Sequence, residues 1–130
     1  MSKDESILVD TSAWIDYFAG TERIMRVLDR PMDERRIVLC GTITQELLQG
    51  ARDDKMFVRI ERDMSMWTYE AETPADFVEA AHQYARLRWK GVTVAPPDCL
   101  IAALAKRCGL RLCATDPDFA KIPGLRLVEL

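Results

Sequence analysis

The sequence predicts an α/β fold built on a parallel, helix-covered sheet. Three observations carry that expectation. Short apolar runs alternate along the chain with segments of helical periodicity, the order that produces parallel strands with covering helices. The segment Leu100–Ala105 is apolar on nearly every side, so its helix belongs inside the molecule. The 130 residues are 48% hydrophobic and 30% charged, a balance that reads as one globular domain over residues 1–130 with its own core.

Taken in order, Ser6 to Asp10 is a short buried strand around Ile7-Leu8-Val9. Thr11 to Ala19 is a helix with Trp14, Ile15 and Phe18 at helical spacing, stopped by Gly20. Thr21 to Asp29 is a second helix with Ile24, Val27 and Leu28 on one face. Arg36 to Cys40 is the next strand, and Thr42 to Gln49 the next helix, where Thr42 and Gln45 fit a capping box. Asp53 to Met66 is amphipathic, its stripe formed by Phe57, Ile60 and Met64 and continued by Trp67. A short strand is expected within Trp67 to Ala71. Thr73-Pro74 then opens a helix to about Lys90, cap residue followed by proline, with Phe77, Ala80, Ala81, Tyr84 and Leu87 turned inward and Gly91 ending it. The buried helix after Asp98 closes with Lys106, Arg107 and Gly109, which suit the negative end of its dipole and its stop. Arg111 to Thr115 and Leu125 to Glu129 are the last strands expected.

Several function classes fall away on composition. No run approaches the roughly 18 apolar residues of a membrane span, and Met1 to Ser6 lacks the apolar core of a signal peptide. A cytoplasmic protein is the expectation. The four cysteines, Cys40, Cys99, Cys108 and Cys113, sit in apolar surroundings without C-x-x-C spacing, which reads as buried reduced thiols. His82 is the sole histidine, so a zinc site lacks ligands, and His82 itself reads as a helix-surface residue. There is no P-loop, no G-x-G-x-x-G and no G-x-S-x-G elbow. The formal charge of −3 argues against an open, non-specific nucleic-acid binder, but not against an enzyme that acts on nucleic acid. The positive charge falls in local groups: Arg23, Arg26 and Arg30; Arg35 and Arg36; Arg86, Arg88 and Lys90. Arginine suits phosphate or carboxylate partners, and an ordinary solvated face accounts for any one group equally well.

Four acids remain as candidates: Asp10, Glu46, Asp98 and Asp116. Singly, Asp98 reads as a helix N-cap, Asp116-Pro117-Asp118 as a turn and Glu46 as a helix-surface residue. Asp10 ends a buried strand and is followed by Thr11 and Ser12, which can cap the next helix without it. Ligands of parallel sheets sit beyond the carboxyl ends of the strands. A crossover topology brings Asp10 and Asp116 to the same edge, with Asp98 able to face it. Carboxylates that converge there repel and raise one another's pKa values. Binding Mg²⁺ or Mn²⁺, hard cations that prefer oxygen ligands, relieves that repulsion.

The four acids sit in four segments: Val9-Asp10-Thr11-Ser12-Ala13-Trp14-Ile15; Thr42 to Gly50 around Glu46; Asp98 to Ala105; and Thr115-Asp116-Pro117-Asp118-Phe119. In this order and spacing they resemble the motifs of the PIN-domain ribonucleases, and within them the VapC-type toxins of toxin–antitoxin pairs, over nearly the whole chain. That resemblance implies a three-layer α/β/α sandwich with a mostly parallel central sheet. It implies an acidic pocket of Asp10, Glu46, Asp98 and Asp116 for Mg²⁺ or Mn²⁺, with Asp10, Asp98 and Asp116 as metal ligands and Glu46 completing the pocket or orienting a water. Asp118 stands as a ligand or as a shaper of the loop, and Thr11 or Thr115 as a hydrogen-bond partner of a carboxylate or phosphate. The implied reaction is hydrolysis of an RNA phosphodiester by metal-activated water. The implied partners are RNA, a cognate antitoxin and a second copy of the chain, with no membrane. Ser12 departs from the pattern, standing where many relatives carry Asn. The helices at Thr21 to Asp29 and Asp53 to Met66 either line a groove for an antitoxin helix or pack on the core.

Two other classes compete with the ribonuclease. One is a partner-binding module of the same fold with a vestigial acidic pocket. The other is a phosphotransfer or phosphatase domain, prompted by Asp116-x-Asp118 after a strand and weakened by the lack of a placed lysine.

Overall fold

Four short parallel strands form the centre of the computed structural model, which describes residues 5–130. Met1–Asp4, on which the reading of the amino-terminus partly rests, lie outside the described residues. The strands are β1 (Ile7–Val9), β2 (Ile37–Leu39), β3 (Thr68–Tyr69) and β4 (Arg111–Cys113), in the order β3-β2-β1-β4. β1 and β2 are buried throughout, as parallel strands covered on both faces must be. Ile7 pairs with Ile37 on one side and with Arg111 on the other.

Helices α1 (Thr11–Phe18), α2 (Glu22–Asp33), α3 (Gly41–Gln49), α4 (Asp54–Met64), α5 (Pro74–Trp89) and α6 (Pro96–Arg107) join and cover the strands, and a 3-10 helix spans Pro117–Lys121. The core runs through β1, β2 and β4, with Ile24 and Leu28 of α2, Ile43 of α3 and Ile101 and Leu104 of α6 fully buried. This is the α/β architecture expected. The chain steps outward from β1 to β2 to β3 and then returns to the far side of β1 for β4. The strand order therefore reverses at the β1–β4 boundary, where such sheets open a crevice beyond their carboxyl ends.

Several local expectations are met for the reasons given. Thr73 and Asp76 form a reciprocal capping box at the start of α5. The cysteines are unpaired, and burial pushes the Cys40 thiol up to about 12 and Cys113 to about 11, so both behave as small hydrophobes. His82 is exposed on α5.

Others are corrected. The Thr42–Gln45 capping box does not form. Glu72 reaches across instead, its carboxylate accepting from Gly41 N at 2.9 Å and Thr42 N at 2.7 Å, and from the Thr42 hydroxyl. That carboxylate meets the positive end of α3 from 30 residues away, and a Cβ on Gly41 would lie 2.9 Å from Tyr69 Oη and 3.0 Å from Glu72 Oε1. α2 continues through a buried Pro31 to Asp33, which leaves the Val27 carbonyl without its usual N–H donor. Arg35, at φ 56°, then closes it, with Arg36 N donating to Pro31 O. The expected strand at Leu125 to Glu129 reduces to one bridge between Leu112 and Leu127. Phe77 is 57% exposed rather than inward, because α5 turns Ala80 and Leu87 to the core. α6 begins at Pro96 with Ala95 as cap, so Asp98 lies inside the first turn and is not the N-cap.

Candidate metal centre

The acids meet where the strand order reverses. Asp10 follows β1 and is only 5% exposed. It is the N-cap of α1 after all: Oδ2 accepts from Ser12 N at 3.0 Å and from Ser12 Oγ at 2.6 Å. Its own N–H donates to Cys113 O at 2.9 Å, tying the end of β1 to the end of β4. Asp116 follows β4 and caps the 3-10 helix, accepting from Asp118 N at 2.9 Å.

Asp98 arrives from the first turn of α6. Carboxylate oxygens of Asp98, Asp116 and Asp118 all lie within 4.8 Å of one another. Asp10 and Glu46 stand outside this tight triad but close enough to act on it. Desolvation and then the charges of Asp10, Asp116, Glu46 and Asp118 push the Asp98 carboxyl up to about 7. Burial and the Asp10 charge likewise raise Glu46, and a hydrogen bond from Thr11 Oγ1 at 3.3 Å partly opposes them. All four acids predicted from the sequence therefore face one electrostatic site, and Asp118 joins them.

One hydroxyl holds the two halves together. Besides donating to Asp10, Ser12 Oγ accepts from Thr115 N at 3.0 Å and Asp116 N at 3.3 Å. This bridging role is not legible in the sequence, where Ser12 reads as a local helix cap and as a departure from Asn. Of the two threonines expected to support the site, Thr11 reaches Glu46 through its hydroxyl, while Thr115 contributes its backbone N–H. Lys121 Nζ lies 2.8 Å from Asp118 Oδ1 and partly offsets the charge at the rim.

A cluster of this kind is unstable against its own repulsion unless a proton or a cation joins it. Its donors are all oxygens, without His or Cys, the set that suits a hard divalent ion and not zinc or copper. On Asp10 both accepted bonds fall on Oδ2, which leaves Oδ1 for an ion. The residues present thus fit Mg²⁺ or Mn²⁺.

Beside the acids, an apolar groove of about 470 Å³ runs between α1, α3 and α4, with Trp14, Phe18, Leu47, Ile60, Met64 and Trp67 on its walls. Trp14 stacks on Phe18 at a centroid distance of 5.7 Å and tilts against Trp67 at 6.4 Å. No residue of α4 is buried, whereas α2 buries Ile24 and Leu28 in the core. Of the two helices expected either to line a groove or to pack inward, α4 does the first and α2 the second.

Known proteins share both the sequence and the architecture. A curated relative named Ribonuclease VapC11, from Mycobacterium tuberculosis, is 41% identical over 128 residues, covering 92% of this chain and 96% of that relative. A VapC ribonuclease of Mycobacterium bovis matches equally. Among solved structures, VapBC2 from Rickettsia felis, bound to a promoter DNA fragment, superposes with a TM-score of 0.80 at 16% identity, covering 95% of this chain and 98% of that one. VapC20 of Mycobacterium tuberculosis, described as a toxin that cleaves the sarcin–ricin loop, superposes with a TM-score of 0.68 at 20% identity, covering 96% and 100%. The family model described as the PIN domain matches residues 7–125. With the reversing parallel sheet and the acids gathered at its crevice, these matches establish that the chain belongs to the PIN-domain family.

Proposed function

We propose that the chain is a metal-dependent endoribonuclease, the toxin of a toxin–antitoxin pair. The observation that carries this reading is the crevice itself: oxygen-only acids around Asp98, whose carboxyl is pushed up to about 7. The relatives at 41% identity, named as ribonucleases, support it.

In this reading Asp10, Asp98 and Asp116 hold Mg²⁺ or Mn²⁺, and Asp118 shares the ion from the rim. The ion supplies charge stabilisation at the phosphodiester and lowers the pKa of a bound water. The protein's own groups do the rest. Ser12 keeps Asp10 and the Asp116 loop in register, so the ligands are set before the ion arrives. Thr11 fixes Glu46, which orients the attacking water and accepts a hydrogen bond from it. Because burial and the neighbouring acids raise Asp98 toward neutrality, an ion bound there would have to take the place of its proton.

The groove between α1, α3 and α4 is the docking site we assign to the antitoxin. Its aromatic and methionine walls suit an amphipathic helix of the partner. VapBC complexes among the structural matches support such a partner. The face around Phe77, Tyr84, Pro97 and Leu100 is the one we assign to a second copy. Among the described residues no helix is long and apolar enough to cross a membrane, in keeping with a cytoplasmic site of action.

The test is RNA cleavage by the purified chain. Cleavage with Mg²⁺ or Mn²⁺ that stops in chelator, and that a co-purified antitoxin suppresses, is the expected result. Absence of cleavage with any RNA, alongside retained partner binding, would replace this reading with the partner-binding module of vestigial pocket.

A further inference from the structure

The three basic groups of the sequence have different fates in the fold. Arg26 pairs with Glu22, and Arg30 with Glu34, while Arg23 meets no carboxylate among the described residues. Arg36 pairs with Glu34 and also donates to Glu5 O, whereas Arg35 meets none among the described residues. In the third group no member is paired. Arg86, Arg88 and Lys90 cluster at the carboxyl end of α5, all exposed. Among the described residues none meets a carboxylate; Arg88 donates only to the Thr93 hydroxyl at 2.9 Å. Residues 80–97 contain these three cations and no Asp or Glu, in a chain that carries a net negative charge.

Between them stands Trp89, 76% exposed and without a ring partner among the described residues. An unpaired basic group with a bare indole at its centre is the combination that holds single-stranded nucleic acid, cations on phosphates and ring on a base. Gln83, Arg86, Leu87 and Lys90 share a small cavity with Pro123.

We propose that this end of α5 is an RNA exosite, with Trp89 as the stacking platform and Arg86 and Lys90 as phosphate contacts. Within a chain of negative formal charge, this is a stretch where cations stand without acids. The inference rests on the ribonuclease reading and extends it to residues that have no part in holding the ion.

Fluorescence anisotropy of a labelled single-stranded RNA oligonucleotide of mixed sequence, titrated with the full chain in chelator so that no cleavage occurs, tests it. Trp89→Ala weakens binding about tenfold and Trp89→Phe restores much of it, since any aromatic face stacks. The double variant Arg86→Ala/Lys90→Ala lowers the slope of log affinity against log salt by about 1.4, for two phosphates on a single strand. The charge-matched control Arg26→Ala/Arg30→Ala leaves that slope unchanged. Melting temperatures stay at the wild-type value throughout, because every altered side chain is exposed.

Equal RNA affinity in wild type, Trp89→Ala and Arg86→Ala/Lys90→Ala would overturn the exosite while leaving the ribonuclease reading intact, provided the wild type still cleaves RNA with Mn²⁺. A wild type that neither binds nor cleaves RNA would overturn both. Unchanged RNA affinity with an altered sedimentation coefficient in Trp89→Ala would reassign the patch to a protein contact.

Discussion

Replacing Asp98 by Asn should make the metal-free protein more stable near neutral pH while it removes activity. Asp98 titrates at about 7 in the fold, against about 3.9 in an unfolded chain. Ionising it in the folded state therefore costs free energy at any pH above that range. At 1.36 kcal/mol per pKa unit, three units correspond to about 4 kcal/mol. Asp98 is only half-buried, and solvent screening reduces the figure to about 2 kcal/mol. Asparagine has nearly the same shape and no charge to desolvate.

The sign follows from proton binding. Between about pH 4 and 7 the folded protein holds a proton on Asp98 that the unfolded chain has lost. Wild-type stability therefore falls as pH rises through this window and levels off above about 7. The raised Glu46 acts in the same direction. Asp76, held well below the usual carboxylate range by the Arg107 guanidinium, acts oppositely, but only at more acidic pH, as its folded pKa is approached. Urea unfolding in chelator at pH 5 and pH 8, for wild type and Asp98→Asn, measures all four quantities. The expected result is a variant about 2 kcal/mol more stable than wild type at pH 8, with the difference shrinking at pH 5. An Asn variant less stable than wild type at pH 8, or a wild type indifferent to pH across the window, would refute the reasoning.

Other outcomes follow from the same geometry. Ser12→Ala should weaken Mn²⁺ binding about 10- to 100-fold, measured by isothermal titration, because Asp10 and the Asp116 loop lose their common hydroxyl. Glu72→Ala should destabilise the fold by about 1 kcal/mol in urea by uncapping α3. Gly41→Ala should do likewise, since its Cβ would displace the Glu72 carboxylate. Phe18→Glu, at a groove residue 66% exposed, should abolish antitoxin binding in a pull-down while RNA cleavage persists. Saturating Mg²⁺ should flatten the dependence of melting temperature on pH between 5 and 8, as the ion replaces the proton on Asp98.

The parts of this molecule that were legible in the sequence are those set by local pattern. β1, β2 and β4 were visible as apolar runs, α6 as a helix apolar on all sides, and α5 through its Thr73-Pro74 start. The acids were visible through the order and spacing of the four segments that carry them, since singly three of them read as a cap, a turn and a surface residue. What escaped was long-range. Glu72 replaces the Thr42–Gln45 box from 30 residues away, a bond that no local motif announces. Asp98 looked like a cap because it opens the apolar run, yet α6 starts two residues earlier on Pro96. Asp10, passed over as a cap because Thr11 and Ser12 were available, takes that role because Ser12 is engaged across the crevice instead. The apolar stripe of α4 was legible, but only the fold shows that Ile60, Met64 and Trp67 line a groove, with Met64 and Trp67 also packed against the core and Phe57 left exposed.

The central claim is that the crevice holds a hard divalent ion through Asp10 and Asp98. Isothermal titration of Mn²⁺ into the wild type, Asp10→Asn and Asp98→Asn at pH 8 tests it most directly. Saturable binding by the wild type that both variants lose is the expected result. Indistinguishable titrations for the three proteins would contradict it.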